Sequence, residues 1–418
     1  MIAWIKIAFR NIIKNGRRSF FTITAIALGF AAVNLFSGFM EYMYLGTREV
    51  SIYAKAQGHL TIYKKGFLEK GQLDPARYLL TAEEKQTIEN ICRKNSAVIL
   101  TTPQLNISGL ITNGKVSTIF IGQGIVPSAM ETFLSRITIA NSKYIRKRIS
   151  GKTLEDSKPY GVGLAYGLAR LLDLGVGSDA VAFTNTVDGQ MNALNVEVFN
   201  LFNTSSDQMN DKFMIVPFRF AQMLYDTSGA DRIAVLLSKT ELTQAVRDHL
   251  RIDFEKSGLD LEIKTWKETS EWYRKVKEMF DVIFLFLFAI VFIVVLMSVI
   301  NTMGMVVLER TREIGTLRAL GLKRRGVMLL FALESSLLGI VGTFVGLVLT
   351  IVSRWIVNVI KPTWIPPGIT NRVPIIIEFV PESMLYSFLF LAVLCLIASL
   401  VPARRAARGN IVDALGHV

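Results

Sequence analysis

Residues 308–325 read LERTREIGTLRALGLKRR and form a charged connection between two long apolar segments. On a helix, Ile314, Leu317 and Leu320 follow one another at steps of three residues and make a narrow apolar stripe, whereas most of the arginines lie off it. The pattern predicts a short amphipathic helix with a dense polar face. The alternative interpretation is a basic loop that only reflects the preference for positive charge on the cytoplasmic side of a membrane.

The apolar residues of the chain are grouped in four blocks. Residues 19–40, 282–308 and 383–403 contain no charged side chain, and residues 327–353 contain only Glu334. Each block exceeds or matches the roughly 20 helical residues that cross a hydrocarbon core of about 30 Å. The sequence therefore predicts four membrane-spanning helices, one near the start and three near the end.

The positive charge predicts the orientation of these helices. The surplus is +5 in residues 1–18, +4 in residues 309–325 and +2 in residues 404–418, which is most of the net charge of +13. Lys and Arg near span ends stay on the cytoplasmic side, and four spans place these three segments on the same face. We expect a multi-pass protein of the cell inner membrane with both termini in the cytoplasm, and the charge needs no nucleic acid to explain it.

The first 18 residues have two faces. Apolar side chains including Ala8 and Phe9 share one face, and Lys6, Arg10 and Lys14 share the other. This pattern predicts an amphipathic helix in the headgroup plane, with its basic side toward anionic lipid, rather than a cleavable signal.

Residues 45–275 have an ordinary, mixed composition that predicts a folded α+β domain outside the cytoplasm. Thr81 with Glu84, and Ser238 with Glu241, are predicted to open helices through capping boxes. Asn113-Gly114 and Asp188-Gly189 predict hairpin turns, and short strands are expected at 60–63, 233–237 and 261–264. Residues 41–54 and 265–281 are interpreted as polar helical stalks, because they contain no Gly-rich or Pro-rich linker.

Catalytic motifs are poorly supported. The loop GLITNGK at 109–115 resembles a phosphate loop, but Val116 stands where magnesium requires Ser or Thr. The three histidines are far apart, and Cys92 and Cys395 are expected in different compartments. We therefore expect no enzyme activity, metal site or cofactor in this chain.

Glu334 is the one residue inside the predicted spans that is charged at neutral pH in water, and such a residue is by default a functional candidate. It lies near the cytoplasmic end of its block, within reach of Arg17 or Arg18. We expect it to form a structural ion pair there, while a proton or ion path is the alternative. On the same helix Gly339, Gly342 and Gly346 predict close approach of another span or of a second protomer.

As a whole the sequence resembles the permease subunits of MacB/FtsX-type ABC transporters, which include the LolC/LolE lipoprotein-releasing permeases. The resemblance rests on ERTREIGTLRALG at 309–321, FALE at 331–334, VPARRAA at 401–407 with DAL at 413–415, and PYGVGLA at 159–165 with LA at 168–169 and LGVG at 174–177. GHLTIY at 58–63 is more similar to the lipoprotein-releasing branch.

This resemblance implies a fold class: a membrane protein with four transmembrane helices and a large α+β extracytoplasmic domain, like the MacB periplasmic core, between helices 1 and 2. The implied division is a cytoplasmic amphipathic helix (1–18), helix 1 and the start of a stalk (19–44), the outer domain with stalks (45–275), helix 2 (276–308), a coupling helix (309–326), helix 3 (327–353), an outer loop (354–382), helix 4 (383–403) and a cytoplasmic tail (404–418).

The resemblance also implies partners. The coupling helix would dock on a cytoplasmic ABC ATPase dimer through Glu313, Ile314, Gly315, Leu317, Arg318 and Gly321, and ATP and magnesium would belong to that ATPase. A second permease protomer, identical or different, and membrane lipids complete the expected assembly.

The substrate is the least determined part. Release of lipoproteins from the inner membrane is the first expectation, and efflux or sensing of antimicrobial peptides or other amphiphiles is the second. Transmembrane signalling to a cell-wall hydrolase, as in FtsX, is the third, although those proteins carry a smaller outer domain.

Overall fold

The computed structural model describes residues 2–71, 73–138, 149–204, 207–365 and 372–408. The helices are α1 (Ile2–Lys14), α2 (Gly16–Glu49), α3 (Phe67–Lys70), α4 (Pro75–Tyr78), α5 (Ala82–Arg93), α6 (Pro127–Ser135), α7 (Tyr166–Leu171), α8 (Asp207–Asn210), α9 (Phe218–Tyr225), α10 (Thr243–Lys256), α11 (Trp266–Thr269), α12 (Glu271–Glu309), α13 (Thr311–Ala319), α14 (Arg324–Ile360) and α15 (Pro381–Arg408). The strands are β1 (Leu60–Lys64), β2 (Val98–Thr112), β3 (Ser117–Ile125), β4 (Ser150–Gly151), β5 (Gly161–Ala165), β6 (Asp179–Asn185), β7 (Met191–Phe202), β8 (Phe213–Pro217), β9 (Arg232–Leu237), β10 (Leu261–Thr265), β11 (Thr363–Trp364) and β12 (Val373–Pro374).

The chain divides into two compact units. The helical unit comprises Met1–Met43, Val276–Trp364 and Pro374–Val418, and the α+β unit comprises Tyr44–Lys275 and Ile365–Val373. Helices α2, α12, α14 and α15 are long and apolar enough to cross a bilayer. The prediction of four long apolar helices and of a large α+β domain is therefore confirmed.

The last part of α14 differs from the predicted span. The helix continues past residue 353 to Ile360, into residues predicted as an outer loop. Arg354 Nε and Asn358 Nδ2 both donate to the carbonyl of Ile377 at 3.0 Å, and Asn358 Oδ1 accepts from its N–H at 2.9 Å. These bonds give the extra turns a partner segment that the hydropathy pattern does not reveal.

The core of the helical unit is formed by side chains from several helices. Ile26 and Phe30 from α2, Val295 and Val299 from α12 and Phe331 from α14 are among its buried members. Hydroxyl and amide groups are paired between helices. Thr22 Oγ1 lies 2.6 Å from Thr302 Oγ1, and Asn34 Nδ2 donates to Ser387 Oγ at 2.9 Å. In an apolar surrounding such pairing removes the cost of burying a lone polar group.

The α+β unit contains a ten-stranded mixed sheet in the order β10-β1-β9-β2-β3-β8-β5-β7-β4, with β6 pairing with both β2 and β7. One sheet face is covered by α7 and α9, whose Leu168 and Phe220 join Ile107, Phe120 and Val198 in the largest core of this unit. A second core forms where α5 and α10 pack near β1 and β9, and it includes Leu60, Ile88, Val235, Leu250 and Phe254.

Both predicted hairpin turns are present. Strand β2 pairs antiparallel with β3, and β6 pairs antiparallel with β7. Asn113 Oδ1 accepts the N–H groups of Lys115 and Val116 at 2.9 and 2.8 Å, and Gly114 has a φ of +86°. Only a residue without a Cβ adopts such a φ freely. The stretch at 109–115 is therefore a hairpin and not a phosphate loop, because a strand and not a helix follows it.

One predicted capping box is confirmed and the other is wrong. Thr81 Oγ1 accepts from the N–H of Glu84, and the Glu84 carboxylate accepts from the N–H of Thr81. By contrast, helix α10 begins at Thr243, after a 3₁₀ turn at Thr240–Leu242, and not at Ser238. The N–H of Ser238 donates instead to Ala97, which holds this residue at the end of the β9 ladder.

The predicted stalk segments are helical with one interruption. Helix α2 reaches Glu49 and is followed by a π-helical turn at Val50–Ala54. The second segment breaks at Ser270, between α11 and α12. The hydroxyl of Ser270 lies 2.7 Å from that of Ser51.

His59 is fully buried at the start of β1. Its Nδ1 accepts the N–H of Leu237 and its Nε2 lies near Thr240 Oγ1, each at 3.1 Å, so the neutral ring with the proton on Nε2 satisfies both. Burial, with the positive charges of Arg48 and Arg136, lowers the pKa of His59 from 6.5 to about 4.

We predict that His59 makes the stability of the chain depend on pH. Because its pKa is lower in the folded state, its contribution is complete above pH 6.5 and is lost as the pH falls toward 4, by about 3 kcal/mol in all. The midpoint temperature of thermal unfolding is measured by circular dichroism on the detergent-solubilised chain at several pH values. It should fall more steeply with acidification in the wild type than in His59→Gln. Asp231, whose pKa burial raises to about 6, acts in the opposite direction but is common to both proteins. Equal pH slopes would contradict the prediction.

Candidate functional site

The charged stretch at 308–325 forms a helix between two turns. Helix α12 ends at Glu309, Arg310 leaves the helical conformation with φ −105° and ψ 13°, and α13 starts at Thr311. The sequence prediction of a short helix at this position agrees with α13. We refer to α13 as the coupling helix, after its position between two apolar helices.

Gly321 ends the coupling helix. Its φ is +97°, its N–H donates to Arg318, and the N–H of Leu322 donates to the carbonyl of Leu317 at 3.0 Å. This is the Schellman arrangement, in which a left-handed glycine satisfies the last carbonyls of a helix. A Cβ at Gly321 would meet no atom within 4 Å, so a substitution there costs backbone strain rather than a clash.

The apolar stripe predicted along this helix divides between two surroundings. Ile314 is 6% exposed and belongs to the core of the helical unit, and Gly315 is buried beside it. Leu317 is 40% exposed and Leu320 is 81% exposed. Each step of three residues turns the side chain by about −60° around the helix. The stripe therefore winds from the bundle to the open surface, and Ile314 anchors the helix while the two leucines remain free.

Arg310 is the centre of the ionic contacts at this site. Its Nε lies 2.8 Å from Glu313 Oε2, and its Nη1 lies 3.4 Å from Glu334 Oε2. Lys14 of α1 also approaches Glu313, at 3.7 Å. The hydrogen bond from Arg310 is the main reason why the pKa of Glu313 lies below its usual value. Arg310 was not among the predicted site residues, although its spacing of three from Glu313 would have indicated a helical ion pair.

Glu334 is paired, as predicted, but the predicted partner was wrong. It is 2% exposed and contacts Arg310, whereas Arg18 contacts Glu309 at 2.5 Å. Arg310 sits at the junction of α12 and α13 with only 16% of its side chain exposed. Its guanidinium therefore lies close enough to the buried Glu334 carboxylate to pair with it. Arg18 pairs with Glu309 instead.

The glycines of α14 pack against helices of the same chain. A Cβ at Gly342 would meet the side chain of Ile26, and one at Gly346 would meet Ala27 and Phe30, all on α2. A Cβ at Gly339 would meet Cys395 of α15 at 3.0 Å. The three glycines thus allow α14 to approach its neighbours closely. Of the two predicted partners, another span or a second protomer, these contacts are with other long helices of the same chain.

Within the described residues no group of three or more metal-ligating side chains occurs. Cys92 and Cys395 are both free and buried. Burial raises the pKa of the Cys92 thiol to about 12, so it is protonated at neutral pH.

Comparison with known proteins locates the family relationship in the helical unit. Residues 285–411 match the FtsX-like permease C-terminal family, a range that includes the coupling helix, α14 and α15. An uncharacterised ABC transporter permease of Methanocaldococcus jannaschii is 24% identical over 98% of this chain and 97% of its own length.

A partial relative matches a shorter stretch of the chain, and a solved structure overlaps half of it. The macrolide export ATP-binding/permease protein MacB 1 of Yersinia pestis bv. Antiqua (strain Antiqua) is 35% identical over 136 residues. The matched stretch is 32% of this chain and 19% of that protein. The periplasmic region of MacB from Actinobacillus actinomycetemcomitans overlaps 50% of this chain and 88% of its own, with 14% identity and a TM-score of 0.35, which is too low for an argument about fold. The chain thus contains a region that matches the FtsX-like permease C-terminal family, and its relatives are ABC transporter permeases that include MacB proteins.

Proposed function

We propose that this chain is the permease subunit of an ABC transporter, and that a separate cytoplasmic ATPase docks on the coupling helix. The observation that carries the proposal is the division of α13 into an anchored face and an open face. Ile314 fixes the helix to the bundle, and Leu317 and Leu320 stay exposed beside Arg312 and Thr316. Exposed apolar side chains with a polar rim are typical of a protein interface.

The predicted docking residues divide accordingly in this proposal. Leu317 contacts the ATPase together with Leu320, which was not among the predicted docking residues, while Ile314 and Gly315 support the helix from behind and Gly321 sets where it ends. Glu313 keeps its charge because Arg310 is bonded to it. ATP and magnesium are held by the ATPase dimer, and two permease protomers, identical or different, complete the assembly.

We propose further that ATP-driven motion of the bundle is passed to the α+β unit outside the membrane. The chain crosses between the two units at 43–44, 275–276, 364–365 and 373–374, and the first two crossings lie within helices, α2 and α12. A helix transmits displacement better than a flexible linker does. Some buried polar side chains of the bundle pair between helices, as Thr22 does with Thr302 and Asn34 with Ser387, and this pairing favours rigid motion over an ion pathway.

Lipoprotein release is our proposal for the cargo, supported by the resemblance of residues 58–63 to that branch. The same residues have structural roles: Leu60 and Ile62 are buried, and Gly58 has a φ of +71° against the backbone of Val235. Export of other amphiphiles is therefore the second candidate, since a MacB-like machine serves it equally. Mass spectrometry of material bound to the purified complex separates them, because acylated proteins support the first and acyl-free peptides or small amphiphiles support the second.

We predict that Leu320→Glu weakens ATPase binding by about tenfold or more without changing the amount of folded permease. An apolar anchor lost from an interface costs roughly 1–2 kcal/mol, and an 81% exposed residue contributes little to folding. The measurement is the affinity of the purified permease for its ATPase. Leu73→Glu in the α+β unit, where Leu73 is 86% exposed, makes the same exchange elsewhere and should have no effect. Normal ATPase assembly in Leu320→Glu would rule out docking on this face.

We predict that Glu334→Gln keeps most ATP-driven activity, because the amide can still accept a hydrogen bond from Arg310. Glu334→Lys should lose folding or assembly, since it places a cation against Arg310, and an unpaired charge inside the bilayer costs about 3 kcal/mol. Transport by the Gln variant is measured across a pH series. A folded Gln variant that transports at no pH would refute the structural role of Glu334 and favour a protonation-dependent step instead.

We propose that both ends of the chain lie in the cytoplasm and that residue 192 lies outside the inner membrane, as the charge distribution predicts. Single cysteines are introduced at Asn192 or Asn410 in a chain lacking Cys92 and Cys395. An impermeant maleimide added to cells with a permeabilised outer membrane should label the first position and not the second. The reverse pattern would overturn this topology.

A further inference from the structure

Helix α1 carries three parallel stripes, each made of residues four apart. Ala8 is fully buried, and Ile12 packs against the core of the helical unit. Phe9 and Ile13 form the second stripe and are 55% and 64% exposed. Because residues four apart lie on one face of a helix, each pair is aligned along the helix axis. One stripe therefore attaches α1 to the bundle, and the next leaves apolar side chains uncovered.

The third stripe is basic. Lys6, Arg10 and Lys14 follow at four-residue steps, directly beside Phe9 and Ile13 on the helix surface. Lys6 and Arg10 are exposed and have no carboxylate partner among the described residues. Lys14, with 74% of its side chain exposed, lies 3.7 Å from Glu313 of the coupling helix. The stripe thus combines two cations without an ion pair and one that contacts the candidate functional site.

The neighbouring residues identify what covers this surface. Helix α2, an apolar spanning candidate, begins at Gly16, and its Phe20 and Phe21 are 63% and 71% exposed. An exposed apolar stripe next to a basic one, at the start of a span, matches an interfacial helix: the apolar side chains enter the acyl boundary and the cations meet lipid phosphates. An acidic protein surface would match the basic stripe but not Phe9 and Ile13.

We propose that α1 senses anionic phospholipid. Lys6 and Arg10 bind the phosphate groups of anionic headgroups, Phe9 and Ile13 rest in the acyl boundary, and Lys14 is shared between a headgroup and Glu313. Anionic lipid draws Lys14 away from Glu313 and so changes the restraint on the coupling helix. The lipid site depends on α1 alone, whereas its effect on ATP hydrolysis rests on the proposed function.

The lipid site is tested on the purified full-length chain in detergent. Phosphatidylglycerol and phosphatidylcholine are titrated, and bound lipid is measured by native mass spectrometry. Each basic residue near a lipid surface contributes roughly a factor of five, so Lys6→Gln with Arg10→Gln should lower the affinity for phosphatidylglycerol about 30-fold and leave phosphatidylcholine unchanged. The matched control is Lys115→Gln with Lys239→Gln, which removes two exposed cations from the α+β unit. Equal phosphatidylglycerol binding by the α1 variant and the control would overturn the site. An α1 variant that binds phosphatidylglycerol normally but no longer assembles with the ATPase would also overturn it.

The regulatory step has its own measurement. The chain and its ATPase are reconstituted in nanodiscs of phosphatidylcholine with or without phosphatidylglycerol, and ATP hydrolysis is compared. The wild type should respond to phosphatidylglycerol, and Lys14→Gln should still bind the lipid through Lys6 and Arg10 but lose the response, because residue 14 no longer carries a cation that can leave Glu313. A full response in Lys14→Gln would overturn transmission through Lys14. A failure of ATPase docking, in contrast, would leave the lipid titration unaffected.

Discussion

The contact between Arg310 and Glu334 connects the start of the coupling helix to the buried face of α14 and so constrains the arrangement of the candidate site. Glu334 is 2% exposed, so its carboxylate needs a cation or a proton, and Arg310 supplies the cation while also bonding Glu313. A buried ion pair is weak evidence for stability, because the desolvation cost offsets much of the attraction. It is stronger evidence for geometry, since only a narrow range of positions of α13 relative to α14 allows Arg310 to reach both acids.

Close packing of α14 supports the same geometry. Gly342 and Gly346 lie against Ile26, Ala27 and Phe30 of α2, and the missing side chains allow the two helices to approach closely. Packing at this distance depends on van der Waals contact, which falls off quickly with separation. Because α13 is tied to α14 and α14 is closely packed on α2, α13 cannot be displaced alone. A displacement of α13 would therefore move α14 and α2 with it. That behaviour suits a subunit that transmits motion.

Helix α1 adds a peripheral restraint to this arrangement. It is fastened to the bundle through Ala8 and to the coupling helix through Lys14. The second contact is exposed and long, and an exposed ion pair contributes little free energy. Lys14 can easily exchange Glu313 for another charged partner because their contact is weak. The Lys14 contact is therefore suited to regulation, whereas the buried contact between Arg310 and Glu334 is not.

The sequence alone determined the features that depend on local periodicity and on single residues. Uninterrupted apolar blocks predicted the four long apolar helices, because this signal lies in the composition of each segment and does not depend on its neighbours in the fold. Asn113-Gly114 and the Thr81–Glu84 pair predicted a turn and a helix start, since the required φ and the capping hydrogen bonds involve residues within a few positions. The place of the coupling helix followed from its charges.

Only the tertiary structure decided which distant residues meet. Glu334 pairs with Arg310 and not with Arg18, Ser238 directly follows β9 instead of capping a helix, and His59 is buried with a lowered pKa. The sequence placed Ile314 and Leu320 on one apolar stripe of α13. Only the packing of the helical unit shows that Ile314 is buried and Leu320 is exposed. Each outcome depends on distances of a few ångströms between residues far apart in the chain, and sequence periodicity carries no information about such distances.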